Sequence, residues 1–460
     1  MTIASINPWD GTVLQTFTPL TEAELATKLE QAAAGFATYR RWSLTQRAAG
    51  LHRLATLLQT QRDTWARTIT LEMGKPIQAA LAEVDKCAWV CRYYAERGAE
   101  WLQDQPGPLE YLPDGSVART WVRRQPLGVI LAVMPWNFPF WQVFRALAPA
   151  LMAGNVLLLK HASNVPQCAL AIEQLVTQAG FPPGAMQTLL IEAQRVTPLL
   201  ADPRIQAATL TGSEAAGMAL AAAAGKSLKK TVLELGGSDP FIVLPSADGE
   251  AALQTAVTAR MLNNGQSCIA AKRFILHADI AADFIPRLVA RFQALKLGDP
   301  LDPSTELGPL ATPALRAELH RQVTDMVQQG AQLLCGGHIP PGNGNFYPPT
   351  LLTNLPPSAR TIEFFGPVGL IYVVADLDQA IQVANDSPFG LGASAWTRDP
   401  QEQQRLLDEL ESGCVFINGM VRSDPRLPFG GIKRSGYGRE LAEWGLLEFV
   451  NLKTLWVKES

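Results

Sequence analysis

Apolar residues recur every three or four positions through three stretches of residues 21–105: AELATKLEQAAAGFATYRRW, RAAGLHRLATLLQTQRDTWARTIT and AALAEVDKCAWVCRYYAERGAEWL. That spacing lines one face of a helix, so this region predicts helix almost throughout. Cys87 and Cys91 fall four apart on one face of the third stretch, where small buried residues are the simpler reading than a redox pair. The pattern changes near Pro106, where PGPLEYLPDGS is rich in turn residues and ARTWVRRQP alternates like an exposed strand. From Gly128 the chain settles into an alternation. VILAVMP, NVLLLK, AMQTLLI, IQAATLT and KTVLEL read as strands, with helices predicted over Phe140–Met152, Gln167–Ala179 and Ser213–Ala224. Nearly continuous apolar strands between helices predict a parallel sheet covered on both faces.

A second alternation follows Gly237. FIVL, RFIL, the LLTNL region, GLIYVVA, ASAWT and CVFIN are its strands, and Pro313–Gln329 is a helix that Thr312 should cap. The closing LLEFVNLKTLWVK is extended and apolar again, and an unpaired strand of that kind is expected to join a sheet on another lobe or another subunit.

Composition narrows the class. At 460 residues the chain is long enough for two or three domains with real cores. A net charge of −3 speaks against nucleic acid or a charged membrane surface as partner. The opening MTIASINPWD has no basic-then-apolar signal, and the longest apolar stretch, 143–159, carries Arg145 and Pro149 and is too short to span a bilayer. Six cysteines without paired spacing and five scattered histidines predict neither a disulfide framework nor a bound metal. A cytoplasmic enzyme is the expected class.

Several local patterns carry chemistry. Two resemble nucleotide motifs and fail: a P-loop ending at Lys226-Ser227 would need glycine where Leu220 stands, and the glycines at 436 and 438 follow no predicted strand. The run Thr211-Gly212-Ser213 through Gly217 ends a strand and opens a helix, so free amides there suit a pyrophosphate; ordinary turn chemistry is the alternative. Cys268 lies in the polar loop NNGQSC and is the best nucleophile candidate of the six cysteines. Glu234 closes a buried strand before two glycines, a place for a base or for a carboxylate that only accepts backbone hydrogen bonds. Asn137, within PWNFP, could donate its amide to an oxyanion or merely sit in a rigid turn.

Taken together, PWNFP at 135–139, TGS at 211–213, ELGG at 234–237, GQSC at 265–268, EFFGPV at 363–368 and PFGGIKRSGYGRE at 428–440 stand in the order found in the aldehyde dehydrogenase superfamily, which the whole chain resembles. The resemblance implies an α/β fold with a Rossmann-like cofactor domain (1–107 and 128–235), a second α/β catalytic domain (236–435) and a small β oligomerisation arm (108–127 and 436–460). It implies Cys268 as nucleophile, Asn137 with the Cys268 amide as oxyanion hole, Glu234 as general base and Glu443 as an aid to proton transfer. On the cofactor side it implies Pro135, Trp136, Lys160, Ser163, Gly212, Ser213, Gly217, Leu235, Gly236, Glu363 and Phe365. Ser163 stands where NAD-selective members usually carry a glutamate, so NADP is expected to be favoured, with NAD also accepted.

The position of Arg145 resembles that of the carboxylate-binding arginine in bacterial succinate-semialdehyde dehydrogenases, the group the chain resembles most, with snorkelling as the ordinary alternative. Arg260 and Ser423 are expected to assist it. A homodimer or homotetramer is expected. Competing readings are a dehydrogenase for glutarate semialdehyde or a neutral aldehyde, and a non-catalytic protein of the same fold.

Overall fold

The computed structural model describes residues 3–459. The first sheet has strand order 436–437, 230–234, 205–211, 129–134, 156–161, 186–188, and all its strands are parallel except the two-residue Gly436–Tyr437. Strand Val129–Met134 lies at its centre, with later strands added first on one side and then on the other. The order therefore reverses between Val129–Met134 and Ile205–Thr211. A crevice opens outside the carboxyl ends of strands at such a reversal. PWNFP and TGS leave those two strands at that crevice.

Four helices, Glu22–Tyr39, Leu44–Thr60, Arg62–Met73 and Ile77–Trp101, share one continuous apolar core with this sheet. The second predicted helical stretch is carried by two of them, because Gln61 leaves helical geometry at φ −110°, ψ 20°. The strand expected over AMQTLLI is confined to Met186–Thr188.

The second sheet has seven strands, in the order 332–335, 350–353, 368–374, 273–277, 240–243, 392–396, 414–417, with only the first antiparallel. Its helix Pro313–Gln328 begins as predicted, with Thr312 Oγ1 accepting from Leu315 N at 3.2 Å.

In the third sheet, strand Val450–Lys458 pairs antiparallel with Val117–Pro126 of the same chain, so the extended tail joins the sheet of another lobe, the first of the two places expected for it. Residues 436–447, expected in the arm, belong elsewhere. Gly436–Tyr437 pairs with Leu233–Glu234 at the edge of the first sheet, and helix Ala442–Leu447 packs on helix Trp141–Ala153. The arm also begins earlier than expected, at Gln105–Pro106.

Candidate active site

Cys268 sits between helix Gly249–Met261 and strand Arg273–His277, in a loop fixed from several directions. Asn263, Asn264 and Gly265 all take positive φ (59°, 60° and 73°), which asparagine tolerates and glycine favours. At Gly265 the reason is also space: a Cβ would lie 2.4 Å from the Gly366 backbone. Asn264 Nδ2 donates to Gly74 O and Pro309 O at 3.0 Å each. Asn263 Nδ2 donates to Asn137 O at 2.6 Å and to Gln266 O at 3.1 Å.

Arg260 is part of the same bracing, which corrects its expected place at the substrate. It is fully buried and donates to the carbonyls of Ala271, Gly265, Phe364 and Gly366, tying the cysteine loop to EFFGPV. A buried guanidinium needs acceptors for its fork of donors, and these backbone carbonyls supply them.

Two cavities meet at this loop. The first is lined by Pro135, Trp136, Asn137, Thr211, Gly212, Ser213, Leu235, Gly236, Cys268, Leu315, Glu363 and Phe365. The second, on the other side, has a wall that includes Trp141, Arg145, Asn263, Ser267, Cys268, Ser423 and Phe429. Cys268 is the one residue common to both. Burial and the nearby Glu234 carboxyl push its thiol up to about 12, against the pull of Lys272 and Arg145. The thiol therefore needs a base before it can attack. Its backbone N–H has no hydrogen-bond partner among the described residues, and Asn137 Nδ2 uses one bond, to Gln266 O at 3.1 Å. Two donors thus remain available beside the sulfur. Asn137→Ala is expected to leave NADP binding intact and cut turnover roughly 10²–10³-fold, the worth of one oxyanion donor; initial rates with a parallel NADP titration check it.

The base candidate is Glu234, buried at the end of strand Lys230–Glu234, with no hydrogen bond to either carboxylate oxygen. Burial holds its carboxyl well above the usual carboxylate range; Glu440 adds to the rise and Arg145 opposes it. Arg145 lies between the two acids. Its Nε forms an ion pair with Glu440, its Nη2 lies 3.7 Å from Glu234 Oε2 and 3.3 Å from Thr211 Oγ1, and its guanidinium covers the Phe429 ring at 4.8 Å. Nη1 has no partner among the described residues, and Arg145 lines the second cavity.

Glu443 was the expected auxiliary acid, but the carboxylate that pairs with Arg145 is that of Glu440, and Glu443 pairs with neither Arg145 nor Glu234. Leu441 and Ala442 turn through positive φ (66° and 50°), separating helix Ala442–Leu447 from Glu440, which bridges to Phe429. Three positions in a motif decide between the two, and only the turn reveals which one faces inward.

On the cofactor side, the Trp136 and Phe365 rings meet edge to face at 5.7 Å. Glu363 Oε1 accepts from Gly237 N at 3.1 Å and lies 3.2 Å from the buried Lys272 ammonium. Lys272 also donates to Ser267 O at 2.7 Å and Cys268 O at 2.5 Å. Lys272 was not picked out from sequence, since a lone lysine beside a motif carries no signal of its own. Gly217 does not reach the cavity, contrary to expectation. A Cβ there would meet the Leu235 side chain at 2.6 Å, so its bareness serves packing, and it is Leu235 that lines the cavity.

Lys160 and Ser163 lie outside the cavity lining but at the same carboxyl edge, Lys160 pairing in register with Val133. The Lys160 ammonium is buried and has neither a hydrogen bond nor a carboxylate partner among the described residues, whereas Ser163 is exposed. Ser213 caps helix Glu214–Lys226, accepting from Ala216 N at 3.3 Å, which leaves the other first-turn amides open. An unpaired buried cation, a nearby hydroxyl and open helix amides make a donor set that fits a phosphorylated dinucleotide.

Comparison with known proteins gives a concordant picture. The profile described as "Aldehyde dehydrogenase family" matches residues 1–455. A Synechocystis sp. protein named "Probable succinate-semialdehyde dehydrogenase", with NADP(+) in its name, is 57% identical over 459 residues, covering 99% of this chain and 100% of that one. The Mycobacterium leprae succinate-semialdehyde dehydrogenase, also named for NADP(+), is 53% identical over the same coverage. The crystal structure of succinic semialdehyde dehydrogenase from Streptococcus pyogenes in complex with NADP+ superimposes with a TM-score of 0.95 at 39% identity, covering 99% of this chain and 100% of that chain.

Proposed function

Because the chain belongs to the aldehyde dehydrogenase family, we propose that it oxidises succinate semialdehyde to succinate with NADP as the favoured cofactor and NAD also accepted. The observation that carries this reading is Cys268 standing in the wall between two cavities, one fitting a dinucleotide and the other an acidic aldehyde. The relatives named for the same substrate and cofactor support it.

In this mechanism Glu234 takes the Cys268 proton as the sulfur adds to the aldehyde carbon. The carbonyl π-electrons move to oxygen, and Asn137 Nδ2 and the Cys268 N–H receive the alkoxide. Trp136, Lys160, Ser213, Glu363 and Phe365 would hold NADP, which when bound would supply the two-electron acceptor for hydride, leaving a thioester on Cys268. Glu234 releases the thiol's proton to solvent and then removes a proton from water as it attacks the resulting thioester; the C–S bond breaks and the proton from water passes from Glu234 to the Cys268 sulfur. Glu440 holds Arg145 in place and raises the basicity of Glu234. Arg145 Nη1 and Ser423 meet the substrate's far carboxylate.

Incubation with NADP and a panel of aldehydes, followed by NADPH absorbance, tests the assignment. Succinate semialdehyde should give the highest kcat/KM, and a neutral aldehyde exceeding it would overturn the substrate. Glutarate semialdehyde should also be oxidised, since one methylene is worth only about 1–3 kcal/mol. Ser163→Glu is expected to raise the KM for NADP while sparing NAD, because it sets a carboxylate against the 2′-phosphate. Equal losses for both cofactors would contradict that role.

The protein is further read as a cytoplasmic homodimer or homotetramer. No helix among the described residues is long and apolar enough to cross a membrane, and all six cysteines are free, as suits a reducing compartment. The arm's outer strand Val450–Lys458 exposes Leu452, Trp456 and Val457, which supports association through the arm.

A further inference from the structure

Lys86 was not singled out by any sequence motif, yet its ammonium lies in the wall of the second cavity, on helix Ile77–Trp101. It donates to Ser423 Oγ at 2.8 Å and sits 4.3 Å from the centre of the Trp141 ring. It has no carboxylate partner among the described residues. The acids that could neutralise it are engaged elsewhere. Glu83, the one carboxylate lining this cavity, pairs with Lys75 and accepts from the amides of Phe140 and Trp141 at 2.9 Å each. Asp424 is held by Arg426 through Nε at 2.9 Å and Nη2 at 2.7 Å.

Ser423 completes the arrangement. Its Oγ accepts from Lys86 Nζ and, at 3.2 Å, from Trp141 Nε1, so both lone pairs are occupied. A hydroxyl in that state has only its proton left to offer, and no acceptor for it stands among the described residues. Arg145, with Nη1 unpartnered, lines the same cavity, and its charge repels Lys86. Arg145 is balanced by Glu440, but Lys86 faces this largely desolvated space with no carboxylate partner of its own among the described residues, which is costly unless a ligand anion completes the set.

We propose that Lys86 is a specificity-determining residue that, with Ser423 and Arg145, grips the carboxylate of the aldehyde substrate. The inference rests on the acidic-semialdehyde reading above and adds the cation that secures it. Hydrogen bonds to a charged group are worth enough that losing this one should be visible in selectivity.

The test compares kcat/KM for succinate semialdehyde with that for butanal, which ends in a methyl group, in the wild type, Lys86→Met and Lys86→Arg. Lys86→Met should lower the ratio roughly 10- to 100-fold, chiefly through the KM of the acid substrate. Lys86→Arg, which keeps the charge, should retain most of the ratio, and NADP titration of each variant verifies a folded cofactor side. A ratio unchanged in Lys86→Met, or lowered equally in both variants, overturns the role of Lys86. A wild type without preference for the acid substrate would instead overturn the substrate reading, and Lys86 with it.

Discussion

Replacing Cys268 with serine is expected to lower kcat for aldehyde oxidation roughly ten-thousand-fold or more while NADP still binds. Among the described residues Cys268 is the only one that lines both cavities, so no neighbouring side chain is placed to take over the covalent step. Serine is nearly the same size and leaves the loop's bracing by Asn263, Asn264 and Arg260 in place. Its hydroxyl, however, is far harder to deprotonate than a thiol, even one whose burial already raises its pKa to about 12. Initial-rate NADPH measurements, with NADP affinity followed by tryptophan fluorescence, would check both halves of the expectation. Turnover near the wild-type rate would remove Cys268 from the chemistry.

Replacing Glu234 with glutamine should cost roughly a hundred- to ten-thousand-fold in kcat, the range of a positioned general base. The amide keeps the volume and removes the proton acceptor. If the chief loss is in hydrolysis of the thioester, rapid mixing will show a burst of NADPH close to one equivalent per site, followed by slow turnover. Absence of a burst would place the loss at thiol activation instead. The pH dependence follows from the direction of the shift. A carboxyl whose pKa is raised by burial and by Glu440 is protonated, and idle as a base, over a wider acidic range than an ordinary glutamate. Wild-type kcat should therefore rise with pH through a limb well above the usual carboxylate range. Glu440→Gln removes the contribution of its charge and should move that limb downward. A limb that stays in place would exclude Glu440 from tuning the base.

The nucleophile and its neighbours were legible in the sequence because each sits in a short run whose local geometry has a clear purpose. Asn137 and Glu234 end strands of a parallel sheet, and the ends of such strands are where chemistry gathers. Cys268 lies in a loop whose asparagines and glycine announce unusual backbone angles. The parallel order of both sheets could be anticipated for the same reason, from apolar runs alternating with helices. What escaped were residues whose role depends on contacts distant in sequence. Arg260 looked like a substrate cation, but its guanidinium faces backbone carbonyls. Gly217 looked like a phosphate-loop glycine, but it yields space to Leu235. Glu443 and Glu440 differ by less than one helical turn in sequence, and the backbone reversal at Leu441 decides between them. Lys86 carried no motif at all. Its significance appears only when Ser423, from a segment remote in sequence, is seen to accept its hydrogen bond.

The pairing of Val450–Lys458 with Val117–Pro126, and of Gly436–Tyr437 with the strand that ends at Glu234, has a consequence for biosynthesis. The ribosome releases the inner strands of both sheets long before these closing segments emerge. Until then the first sheet has an open border and Arg145 lacks the carboxylate that anchors it. A nascent chain therefore carries an unfinished catalytic centre and a sticky ribbon at the same time. An uncovered strand border is a template for pairing with another chain, so the interval before the closing segments emerge is when this chain is most exposed to aggregation.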